Sequence, residues 1–94
     1  MIKNIRNTYV GTKVRLDNND FTECTFTNCV LEFAGDGPVS LSKNSFANCQ
    51  WVFVGPAQTT MQFLQSMYHG MGEGGRVIVE RTFENIKRGT TTKA

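Results

Sequence analysis

The sequence predicts a mainly β fold, two coils of short parallel strands with a C-terminal helical cap, and three observations predict it. From Val14 to Phe53 large apolar residues return every five positions: Leu16, Phe21, Phe26, Leu31, Leu41, Phe46 and Trp51 share one register. Two residues before each stands a mostly small residue, Val14, Asn19, Cys24, Cys29, Val39, Asn44 and Cys49. The run Phe26–Gly35 can also be laid on Phe46–Gly55, with Phe, Asn, Cys, Phe and Gly recurring at an offset of twenty. Twenty is four fives, the arithmetic of a coil with four sides. The unit carrying Ala34 and Asp36 breaks the pattern at Gly35-Asp36-Gly37-Pro38, a turn signal.

Taken in order, residues 1–7 are polar and read as an irregular or extended lead-in. Tyr9 to Leu16 alternates, with Val10, Thr12, Val14 and Leu16 on one face and Lys13 and Arg15 on the other. That is a strand with one wet face. The coils follow over residues 14–55, each side a very short strand, and residues twenty apart stack at the usual ~4.8 Å spacing. Phe26 is expected under Phe46, Cys29 under Cys49, Leu31 under Trp51 and Phe33 under Phe53. Asn28 and Asn48 recur together and are expected to satisfy corner backbone or each other.

Gly55-Pro56 ends the last strand, and Pro56 suits the first turn of a helix. From Ala57 the apolar period changes: Ala57, Thr60, Met61, Leu64, Met67 and Tyr68 share a helical face, and Gly70 fits its C-terminal position. Residues 56–69 therefore read as an amphipathic helix closing the open end of the coil. Residues 71–75 read as a flexible turn, Val77-Ile78-Val79 as a strand, and residues 82–87 as a short helix started by Thr82, so that 76–88 is a C-terminal strand with a short helix. Residues 89–94 read as a disordered tail.

With 94 residues the chain is long enough for one small domain. Its net charge of +2 is spread through the sequence, which argues against nucleic acid as a partner and against an acidic DNA mimic. The three cysteines, an odd number, all occupy the small inward register. They read as buried reduced thiols suited to a cytoplasmic protein, not as a disulfide framework or a zinc site. Nothing resembles a signal peptide, because no apolar run follows Lys3 and Arg6. No stretch reaches the ~20 apolar residues of a membrane span.

The central residues Leu16, Phe21, Phe26, Leu31, Leu41, Phe46 and Trp51, preceded by the small Cys24, Cys29, Ala34 and Cys49, resemble the pentapeptide-repeat family and, more broadly, right-handed parallel β-helix proteins. The family's usual Ala is here mostly Cys, Val or Asn, and its Asp or Asn just before the central residue is matched at Asp20. The resemblance implies a short two-coil right-handed parallel β-helix.

No hydrolase triad is visible, since the single His69 has no Ser or Cys in a recognisable local motif. Gly72-Glu73-Gly74-Gly75-Arg76 shares only glycine content with a phosphate loop and lacks the Walker ending. The remaining candidate is a surface cluster. Tyr68, His69 and Arg76 flank the glycine turn, and Arg81, Lys87 and Arg88 follow. An aromatic ring for stacking and guanidinium groups for phosphate are what a nucleotide pocket needs; the plain alternative is that these residues solvate the C-terminal segment.

The expectation is thus a non-enzymatic, homo-oligomeric binding protein without cofactor or metal. It would sequester a small anionic ligand, such as a nucleotide signal, through Tyr68, His69, Arg76, Arg81 and Arg88. Phage-encoded sponges that inhibit bacterial nucleotide-signalling defence offer an analogy of size and character. The alternatives are a protein-interaction inhibitor or scaffold using the β-helix faces, and a small nucleotide-cleaving enzyme.

Overall fold

The computed structural model describes residues 1–89. Among these, 36% lie in strands and 37% in helices, so the fold is mixed and not mainly β. Its contacts fall into two compact units, one ending at Thr59 and one beginning at Thr60.

The first unit holds nine strands: β1 (Ile2–Ile5), β2 (Thr8–Val10), β3 (Lys13–Arg15), β4 (Asn19–Thr22), β5 (Thr25–Thr27), β6 (Val30–Phe33), β7 (Val39–Ser42), β8 (Ser45–Ala47) and β9 (Gln50–Phe53). They form three parallel three-stranded sheets in the orders β1-β4-β7, β2-β5-β8 and β3-β6-β9. The chain visits the three sheets in the same order three times. It therefore winds through three coils with three sides, where two coils and four sides were expected. The expected fourth side is the connection from Ala34 to Pro38.

The twenty-residue offset holds between the second and third coils, where Phe26 pairs with Phe46, Leu31 with Trp51 and Phe33 with Phe53. Between the first and second coils the offset is seventeen: Tyr9 pairs with Phe26 and Val14 with Leu31. The stretch read as a lead-in and one long strand is in fact a whole coil, β1 to β3, with Gly11 turning a corner at φ +59°.

Side chains at the middle of each strand point inward and define the core. Asn4, Tyr9 and Val14 lie level with Phe21, Phe26 and Leu31, which lie level with Leu41, Phe46 and Trp51. Leu16, Phe21, Cys24, Phe26, Cys29 and Leu31 form one buried cluster. The rings of Tyr9, Phe26 and Phe46 stack with centroids 4.9 and 5.1 Å apart, and Phe21 meets Phe26 edge-on at 5.3 Å. Such offset and edge contacts add to burial. Cys24 and Cys29 are buried free thiols and Cys49 is half-buried.

Corners need a left-handed residue, because the backbone must turn sharply between strands of three or four residues. Arg6, Glu23 and Lys43 take φ near +55° at one corner, and Gly11, Asn28 and Asn48 at the next. Asn tolerates this conformation better than most. The Asn48 Nδ2 also donates to Asn28 Oδ1 at 2.6 Å, forming the expected ladder between coils. Asn44 reaches inward: its Oδ1 accepts from the Cys24 amide at 2.7 Å and its Nδ2 donates to the Phe21 carbonyl at 2.9 Å.

The helical residues form α1 (Gly55–Gly70) and α2 (Gly72–Arg88). α1 matches expectation within a residue at each end. The expected turn at 71–75 and strand at 77–79 are instead the start of α2. Its inward residues Gly75, Ile78, Val79, Thr82 and Asn85 recur at helical spacing. Gly89 closes α2 in the left-handed conformation, its amide donating to Ile86 O. The other residues of the expected tail, 90–94, lie outside the described residues. Among the described residues no helix is long and apolar enough to cross a membrane.

Candidate functional site

The five residues expected to form an anion pocket are divided between two adjoining grooves and one position that lines neither. α2 begins close against the end of α1 because Gly75 has no side chain; a Cβ there would run into the Met67 carbonyl oxygen and the Met71 side chain. That approach leaves a groove of 530 Å³ along the two helices, lined from α1 by Met61, Gln65, Tyr68 and His69 and from α2 by Val79, Glu80, Phe83, Glu84 and Lys87. Tyr68 and His69 are therefore brought together, their rings edge-on at 5.3 Å. The charges around them are two carboxylates and one ammonium, a poor set for phosphate.

Arg81 and Arg88 line a neighbouring 500 Å³ depression on α2 with Val77, Glu80, Glu84 and Asn85. Arg88 is held by Glu84 at 3.2 Å. Arg76 lies in neither groove and pairs with Glu73 at 2.9 Å, one turn earlier on the same helix. The glycine amides that were to accompany it belong to the first turns of α2. Among the described residues, no three or more His, Cys, Asp or Glu side chains come together to hold a metal ion.

Two features outside that cluster are more developed than it. One is Asp17, buried at the junction of coils. Its Oδ1 accepts from the Ala34 amide at 2.8 Å and from Arg15 Nε at 3.1 Å, and its Oδ2 accepts from the Asp36 amide at 2.8 Å. Burial pushes its pKa up, but these bonds and a further one from the Gly35 amide outweigh it and hold the value at about 2. Arg15 also approaches Asp36 at 3.4 Å and Glu32 at 3.9 Å. Asp17 thus pins the Gly35–Gly37 connection to the coil below it. The Asp-Asn-Asn run at residues 17–19 was a possible turn signal for this corner.

The other feature is the contrast between the two ends of the coil. At the first coil the inward position of β1 is polar. Asn4 Nδ2 donates to Asn19 Oδ1 at 3.1 Å, the Tyr9 hydroxyl donates to Asn4 Oδ1 at 3.4 Å, and Asn7 Nδ2 donates to the Tyr9 hydroxyl at 3.2 Å. At the last coil the corresponding level is apolar and open: Leu41, Phe46 and Trp51 are 43, 38 and 48% exposed. One level in, Phe21, Phe26 and Leu31 are 2, 0 and 0% exposed. The identities of these residues were legible; their exposure was not. No family model, curated protein or solved structure matches this chain.

Proposed function

We propose that the strand-rich unit is a short right-handed parallel β-helix of the pentapeptide-repeat kind, and that the protein is a non-enzymatic binding protein working as a homo-oligomer whose copies meet at the last coil. Right-handed winding follows from the near-universal hand of parallel crossovers. The observation that supports self-association is the open level of Leu41, Phe46 and Trp51, whose equivalents one coil earlier are fully enclosed. Contiguous exposed side chains of this size mark interaction sites in soluble proteins. Covering half of each of the three contributes about 3 kcal/mol per copy by area. The unpaired edges of β7, β8 and β9 lie at the same level.

The nucleotide-capture reading would need a cavity joining Tyr68 and His69 with Arg76, Arg81 and Arg88. We therefore place interaction with a second copy ahead of it. Light scattering over micromolar concentrations tests the proposal. Wild type is expected above the 10.5 kDa of one chain, with Trp51 emission shifting to the blue as copies associate. Trp51→Arg is expected to keep its circular dichroism and to reach a smaller mass than wild type at the same concentration. A wild type that stays at one chain's mass throughout overturns the reading.

A further inference from the structure

The groove between α1 and α2 has an apolar floor, Met61, Val79 and Phe83, and Met61 and Phe83 are exposed along it. Its α2 edge carries Glu80 and Lys87 two turns apart, one on each side of Phe83 and Glu84. Glu84 is engaged by Arg88, whereas Glu80 and Lys87 make no ion pair among the described residues. We infer that this face is a self-complementary docking surface whose occupant is the helical hairpin of a second copy, with the two α2 helices antiparallel and Glu80 of each copy paired to Lys87 of the other.

The argument is geometric. A two-fold axis passing beside α2, perpendicular to it and level with the midpoint of Phe83 and Glu84, is equally distant from positions 80 and 87. Antiparallel helices related by that axis bring residue 80 of one copy level with residue 87 of the other, twice. The same operation sets Phe83 beside its own counterpart, over the apolar floor of both grooves, and Glu84 beside its own, each carboxylate paired with Arg88 of its own copy. An isologous contact requires a patch that complements itself under such a rotation. A charge of each sign at equal distance on either side of an aromatic centre meets that requirement. A phosphate-bearing ligand fits this face worse, because Glu80 and Glu84 would oppose it. Two charge pairs flanking an aromatic contact set orientation and partner choice as well as affinity.

The inference does not rest on the coil-end reading. Leu41, Phe46 and Trp51 are uncharged, so that contact generates no charge-dependent choice of partner, and a charge swap distinguishes the two ideas. The test is a charge swap. Glu80→Lys and Lys87→Glu each place like charges opposite one another in a homodimer, whereas a mixture of the two restores both opposite-charge pairs. Both positions are exposed on the helix surface, so the fold is expected to persist.

The variants carry different affinity tags and are mixed at low salt, and the species are counted by native mass spectrometry. Heteromers are expected at about tenfold over the statistical share, with the excess falling toward the statistical share in high salt. The doubly swapped chain, Glu80→Lys with Lys87→Glu, is expected to self-associate like wild type. Statistical mixing of the two single variants overturns the inference, and so does a monomeric wild type.

Discussion

Asp17 shows how a single carboxylate can hold a connection in place. Its folded pKa of about 2 lies below the ordinary aspartate value of 3.8. The ionised form is therefore favoured by folding, and its contribution is fully present above pH 4 and lost as the pH falls through about 2. Chemical denaturation from pH 5 down to pH 2 is expected to show wild type losing stability that Asp17→Asn never has. At neutral pH Asp17→Asn is expected to cost about 1.5–3 kcal/mol, because an amide is a weaker acceptor and its NH2 group has to face donors. In the core, Phe26→Ala is expected to cost about 3–5 kcal/mol, the range for a fully enclosed aromatic. Phe46→Ala is expected to cost clearly less, since its ring is partly in water already. The ranking is read from the denaturant midpoints. Equal losses at the two positions would contradict the assignment of Phe46 to an open end.

At the scale of elements, two competing effects meet at Gly75. Replacing a helix-interior glycine with alanine gains about 1 kcal/mol of propensity. Here the added methyl would occupy the space of the Met67 carbonyl oxygen, a backbone atom that moves only if the helix moves. The clash is expected to win, so Gly75→Ala lowers the thermal stability of the helical signal in circular dichroism. A rise in midpoint would show that the helices pack less closely than described. The same glycine explains why α2 was hard to read. Gly72, Gly74 and Gly75 resemble a turn, and Val77-Ile78-Val79 has the β-branched character of a strand, yet the face Gly75, Ile78, Val79 and Thr82 recurs at helical spacing. The pairing of the second and third coils was legible because both repeat Phe-x-Asn-Cys at the same offset. The first coil was hidden because its inward residues are Asn4, Tyr9 and Val14, and because Leu16, the second inward residue of the third side, falls five before Phe21. A fixed five-residue period joined Leu16 to the wrong triplet. The candidate site was legible only as a list of residue types. Tyr68 and His69 are adjacent on α1, but the helical phase of α2 places Arg81 in the neighbouring depression, Arg76 is paired with Glu73, and that phase cannot be set while 77–79 is taken for a strand.

At the scale of the molecule, the lengths of the coils have a practical meaning. Successive strands on the first and second sides begin at the same intervals in every coil, with Ile2 and Thr8 matched by Asn19 and Thr25 and by Val39 and Ser45. All of the difference between a seventeen- and a twenty-residue coil lies between the start of the third side and the return to the first. There β3 leads to β4 through residues 16–18, and β6 leads to β7 through residues 34–38. The chain thus already carries two lengths of return path on one scaffold. That path is the place where sequence can be added. Loop closure grows slowly more costly with length, so a few small polar residues inserted between Asp36 and Gly37 are expected to leave the paired levels of Phe26 and Phe46 intact and to lower the midpoint modestly. One residue inserted between Phe26 and Leu31 instead turns the following inward side chains outward, and is expected to abolish cooperative unfolding. The return path is accordingly the natural port for grafting a peptide onto this protein.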